Sequence, residues 1–187
     1  MTGAFGYLSV LLSIILGLAI AQVLQGYRAL LLARGRVRLD AAPLIWSGLL
    51  LFFVAQAWWA SFDLNARRSW DFLDFAVILL QMGLLYMLSA LVLPDVPPEQ
   101  PVDLNRHFAR HRKAFFAFLI AMVASSVLKE AVLEHRLPGL VNLLFHLLLI
   151  AMGVAGILLR GRTAQTVVAL FAVAGFAVYV ATLFAHL

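Results

Sequence analysis

Cysteine is missing from this chain altogether. That removes a disulfide framework, a thiolate nucleophile, an iron–sulfur cluster and any Cys-ligated zinc site. Charge is scarce as well: Asp, Glu, Lys and Arg make up 12% of the residues, against about 25% in soluble globular domains. Proline is absent from the interior of every long apolar run, since Pro43, Pro94, Pro97, Pro98, Pro101 and Pro138 all fall in gaps or first turns. Long helices without breaks are therefore expected, because proline inside a helix removes a hydrogen bond and kinks it. The catalytic signatures His-Glu-x-x-His and Gly-x-Ser-x-Gly are also lacking, so neither zinc hydrolysis nor acyl transfer has a motif to rest on.

What fills the chain instead is apolar: 64% of 187 residues are hydrophobic. Runs at about 5–31, 42–64, 71–93, 114–134, 139–159 and 164–186 are each long enough to cross a bilayer, which takes roughly 20 residues. The reading is an all-α polytopic bundle of six transmembrane helices, a single integral membrane domain over 1–187. Arg28, Arg34, Arg36 and Arg38 lie in the first gap, Arg106, Arg110, Arg112 and Lys113 in the third, and Arg160 and Arg162 in the fifth. The alternate set holds only Arg67, Arg68, Lys129 and Arg136, each with acids nearby. The positive-inside rule then puts the first set in the cytoplasm and both termini outside it. The +5 net charge is accounted for by these loops, so it does not indicate nucleic acid as a partner. Ala19-Ile20-Ala21 has the small-x-small form that a signal peptidase cuts, yet no Lys or Arg occurs in the first 27 residues. An uncleaved first span is expected.

The opening "YLSVLLSIILGLAIAQVLQG", the Trp58-Trp59 pair ahead of an aspartate and the stretch "SWDFLDFAVILLQMGLLYMLSALVLP" resemble an uncharacterised family of small bacterial polytopic membrane proteins. The similarity covers the first three spans, about half of the chain. It implies a bacterial inner membrane and carries over no activity.

Helices in a bilayer associate through small residues that let backbones approach. Ser9, Ser13, Gly17, Ala21 and Gln25 recur at steps of four along the first span, Gly153 and Gly156 mark the fifth, and Ala177, Ala181 and Ala185 the sixth. Each set reads as a seam, within one chain or between two copies. Three spans per half give the halves opposite orientation, the plan of an inverted repeat, although no residue-level match links them.

Polarity gathers at the outer end. Trp58, Trp59 and Trp70 flank a short turn and read as an aromatic belt at headgroup level. Gln56 and Asp63 fall on one face of the second span, and Asp71, Asp74 and Gln81 descend along the third. Lys129, Glu130 and Glu134 close the fourth span, and Asn142 and His146 open the fifth. Ionisable groups within a membrane are costly and normally face the bundle interior and pair. Two expectations follow: a pocket built from Gln56, Asp63, Asp74, Gln81, Lys129, Glu130, Asn142 and His146 that binds a small polar ligand or relays protons, or ion pairs of Lys129 with Asp74 or Glu130 that tie helix ends together.

On the cytoplasmic side, the loop 94–113 is proline-rich and then basic. Asp103 is placed to cap a short interfacial helix, with Arg106, Arg110, Arg112 and Lys113 reaching anionic lipid. His107 and His111 are four apart, but cationic neighbours disfavour a metal there. His146 and His186 make a poor haem pair, because His186 is next to last. No metal or other cofactor is expected. The leading functional reading is a non-enzymatic accessory or sensor subunit. A small-solute or proton-coupled transporter or channel using the same polar cluster is the alternative. An intramembrane enzyme built on Glu130, Glu134 and His135 is the third class.

Overall fold

The computed structural model describes residues 4–67, 69–96 and 101–184. Six helices carry it: α1 (Ala4–Leu32), α2 (Ala41–Ala60), α3 (Phe72–Val92), α4 (Leu104–Glu134), α5 (Leu140–Leu158) and α6 (Arg162–Phe184). All six are long and apolar enough to cross a membrane. The protein is a multi-pass integral membrane protein built as an all-α six-helix bundle. Around the bundle, α1, α3, α4, α5, α6 and α2 follow one another in a closed ring, and α2 also reaches α3 and α4 across it.

Two boundaries differ from expectation. The basic stretch 104–113 is no separate interfacial helix but the first ten residues of α4, which runs on unbroken to Glu134. Neither Gly nor Pro occurs between Leu104 and Glu134, so nothing stops the helix once Asp103 has capped it by accepting from the Arg106 amide at 3.0 Å. The second span, in turn, ends at Ala60 and tightens into a 3-10 turn, Ser61–Ala66, which puts Asp63 on the loop rather than on the helix. The sequence pattern also held no sign of a two-residue parallel pairing between β1 (Val37–Arg38) and β2 (Val102–Asp103).

The basic end is closed. Trp46, Phe115 and Phe116 are fully buried, with Trp46 edge-on to both phenyl rings at 5.5 Å and Phe108 beside Phe115 at 5.5 Å. Beneath them lie two polar locks. Asp40 accepts from the Ala42 amide at 3.1 Å and from Asn105 Nδ2 at 3.3 Å, and it pairs with Arg162, so one buried carboxylate joins α2, α4 and α6. Arg112 donates to the carbonyls of Gly156 (2.6 Å), Ile157 (2.8 Å) and Leu159, and Gln165 Nε2 adds bonds to Gly156 and Leu159. The carbonyls that end α5 are thereby satisfied by side chains from α4 and α6, as any buried helix terminus requires.

The small-residue seams divide. Gly153 and Gly156 are buried where α5 meets α4, and Gly175 abuts Leu148 of α5. The stripe on α1 is different: Ser13, Gly17 and Gln25 face outward, while Leu8, Leu12, Leu16, Ala19 and Val23 are buried against the bundle. Large side chains fill that groove, and Ser9 satisfies its hydroxyl on the Gly6 carbonyl at 2.9 Å, so it needs no partner across helices. Ala177 and Ala181 are likewise exposed, and Ala185 lies outside the described residues. A contrast follows. A Cβ at Gly153 would sit 2.6 Å from Ile120 Cγ1, whereas one at Gly17 meets nothing within 4 Å. Gly153→Val is expected to lower stability by about 1–3 kcal/mol through overpacking. Gly17→Ala should leave it unchanged or raise it by up to about 1 kcal/mol. Thermal unfolding of the two variants in detergent measures the difference.

Candidate functional site

At the acid-rich end the helices part around a cavity of about 330 Å³. Its wall comes from five helices and one turn: Phe53, Gln56, Ala57 and Ala60 of α2, Asp63 and Leu64 of the turn, Gln81 and Leu85 of α3, residues from Met122 to Glu134 of α4, residues from Asn142 to Leu149 of α5, and Tyr179 of α6. Gln81 stands nine residues past the first residue of α3, hence about 14 Å down the helix at 1.5 Å per residue. That depth is near the middle of a hydrocarbon core about 30 Å thick.

Of the residues expected to converge, Gln56, Asp63, Gln81, Lys129, Glu130, Asn142 and His146 all line this cavity. Asp74 does not. Its carboxylate is buried and held by Arg67 at 2.8 Å, and it closes a capping box with Asp71, each accepting from the other's backbone amide. Arg67 also donates to the Leu133 carbonyl at 2.5 Å and lies over the Trp70 ring at 5.7 Å. The expected Lys129–Asp74 and Lys129–Glu130 pairs are replaced. Among the described residues the ion pairs are Arg67–Asp74, Arg136–Glu134 and Arg162–Asp40, and Lys129 belongs to none. Arg67 holds Asp74 because the turn delivers it to the first turn of α3, seven residues away in sequence, where it bridges Asp74 and the Leu133 carbonyl of α4. Arg68 and His186 lie outside the described residues.

Hydrogen bonding defines what the pocket presents. Gln81 is only 8% exposed and its Oε1 has no partner. An orphaned amide oxygen at that depth forgoes the stabilisation that nearly all buried polar atoms obtain. His146 Nδ1 stands 2.5 Å from the Asn142 carbonyl. A carbonyl only accepts, so Nδ1 is the donor, and in the neutral ring Nε2 is left as a free acceptor. Tyr179, which sequence reasoning passed over, stacks on Phe145 with centroids 4.2 Å apart and planes 7° from parallel. Its signal was present: a polar-tipped aromatic in the half of the sixth span nearer the acid-rich end.

The remaining expectations separate. Trp58 and Trp59 are exposed at the helix end, as a belt requires, and both contact Phe62 edge-on. Trp70 instead stacks on Phe5 at 6.4 Å and lies half-buried. Arg106, Arg110 and Lys113 are exposed at the basic end. Arg112, expected to reach lipid with them, is buried and spent on the end of α5. This correction follows from the helix period: within an unbroken α4, residue 112 shares the inward face with Phe108, Phe115 and Phe116. His107 has Nε2 3.1 Å from the Leu91 carbonyl, so its ring closes the end of α3. Of the third expected group, Glu130 and Glu134 line the cavity and His135 does not. Glu134 pairs with the exposed Arg136 at 2.5 Å, and His135 ends α4 in a left-handed conformation, φ 52°, with its side chain exposed. Comparison with protein-family models, with curated proteins and with solved structures finds no match to this chain.

Proposed function

We propose that this protein is a membrane-embedded sensor or accessory subunit of a bacterial inner membrane that receives a small polar ligand in a pocket facing away from the cytoplasm. The observation that carries the reading is a cavity lined by charged and polar side chains from several helices, with the buried Gln81 amide oxygen left unpartnered at mid-membrane depth. The pocket ends against a closed half of the bundle, where Trp46, Phe115 and Phe116 are fully buried and Asp40 and Arg112 tie four helices together. Such an arrangement favours binding over passage. The arginine-rich connections at the other end support the orientation, and the resemblance in the first three spans supports the bacterial membrane.

The cysteine-free chain makes the test direct. Single cysteines at Gln81, His146 and Ser47, treated in intact cells with a membrane-impermeant maleimide, are expected to react at the first two positions and not at Ser47, which is fully buried beside the aromatic cluster. Protection of Gln81 and His146 from the reagent means a dry seam and sinks the ligand-receiving role. Reaction at Ser47 from either side would instead indicate a path through the bundle and favour a transporter.

A further inference from the structure

The charges of the pocket narrow its ligand. Three acids line it, Asp63, Glu130 and Glu134, with two cations, Lys129 and Arg136. Glu134 and Arg136 neutralise each other. Among the described residues the other three, two carboxylates and one ammonium, stand in no ion pair. Lys129 and Glu130 are neighbours on α4, and Asp63 comes from the turn after α2. A purely cationic ligand placed here would face the Lys129 ammonium, and a purely anionic one would face two carboxylates. A ligand with an ammonium and a carboxylate close together satisfies both signs at once, where the surrounding membrane makes uncompensated charge costly.

The neutral polar groups ask for something else. Gln81 Oε1 has no partner, and in its neutral form the His146 ring presents Nε2 as an acceptor, since Nδ1 donates to the Asn142 carbonyl. Two free acceptors call for a donor, a hydroxyl or an amide N–H. The rest of the wall is largely apolar, with Phe53, Leu85, Met122 and the stacked Phe145–Tyr179 pair. A volume of about 330 Å³ stands at the small end of the roughly 300–1,000 Å³ range of small-molecule sites. We infer that the pocket binds a free α-amino acid with a hydroxyl or amide side chain: Lys129 holds the carboxylate, Glu130 and Asp63 hold the ammonium, and Gln81 and His146 accept from the side chain. This rests on the ligand-sensing reading and gives it a ligand class.

The test uses Ala57→Cys as a reporter, since Ala57 lines the cavity without contributing a polar group. In the full-length protein in nanodiscs, the maleimide reaction rate is followed with serine, glutamine, alanine, ethanolamine, glycerate, phosphoethanolamine or glucose present. Serine or glutamine is expected to slow labelling tenfold or more, alanine less, and the others not at all. The Tm of the unsubstituted protein should rise with the same compounds, as linkage to binding requires. Lys129→Gln and Glu130→Gln, both on the pocket wall, are each expected to abolish protection while the protein keeps its fold. Preferential protection by ethanolamine, glycerate, phosphoethanolamine or glucose overturns the amino-acid assignment and leaves the ligand-sensing reading in place. Neither protection nor a Tm shift with any compound overturns both.

Discussion

Arg112→Ala is expected to destabilise the protein by about 3 kcal/mol or more, the largest loss from any single truncation at the basic end. The Arg112 guanidinium is buried and donates to three carbonyls at the close of α5. Hydrogen bonds to a charged group contribute about 1.5–3 kcal/mol, and carbonyls left bare within a membrane protein cost several more when water cannot reach them. Gln165 still serves Gly156 and Leu159 in the variant, so the Ile157 carbonyl bears the deficit. Arg112→Lys should recover part of the loss, because an ammonium reaches the same carbonyls without the planar fork. Arg110→Ala, one helical face away and exposed, should stay within about 0.5 kcal/mol of the parent. Thermal unfolding of the set in one detergent checks this order. Equal melting temperatures for Arg112→Ala and Arg110→Ala would show that the cap is not formed.

That arginine also marks where sequence reasoning loses its hold. Composition and run length give the six spans directly, since a bilayer imposes a length and a polarity that few other structures share. Which face of a helix turns inward is less legible. On α1 the small and polar stripe looked like the seam, but the Leu8, Leu12 and Leu16 row packs there instead, and lipid is apolar enough to leave hydrophobicity uninformative about direction. On α4 the inward face follows from Phe108, Phe115 and Phe116, and Arg112 goes with them. It was hidden only because residues 104–113 read as a separate helix.

The pocket was more legible than the locks. Gln56, Gln81, Glu130, Asn142 and His146 sit towards the same end of four spans, and an antiparallel bundle can hardly avoid bringing such groups to one level. The partners within that level were not legible, because pairing depends on angstrom-scale placement. Asp71 and Asp74 looked like two acids on a stripe, yet they form a reciprocal cap at the start of α3. Asp40, Asn105 and Arg162 are separated by 65 and 57 residues in sequence, and only the ring order of the helices brings them together.

Asp74 and Lys129 are expected to respond to substitution in opposite ways, and the crossing of the two results separates structure from site. Asp74→Asn keeps the size of a buried side chain but removes its charge from Arg67 at 2.8 Å. Breaking a buried pair costs about 3–5 kcal/mol. Arg67 is 24% exposed and regains some hydration, so about 2 kcal/mol is expected. Arg67→Ala should cost about as much, with the Leu133 carbonyl also losing its donor. Because the two residues share one interaction, the double variant should fall well short of the sum of the singles. None of these changes removes a group that lines the cavity, so protection of the Ala57→Cys reporter by a bound amino acid should persist wherever the protein remains folded. Lys129→Gln reverses the pattern: with no direct ion pair to lose, it should cost less stability than Asp74→Asn, while protection disappears. Loss of protection in Asp74→Asn at a temperature where it is fully folded would return Asp74 to the site and assign the Arg67 clamp a part in closing it. Retained protection in Lys129→Gln would leave the carboxylate of the ligand without its partner and the charge argument without its cation.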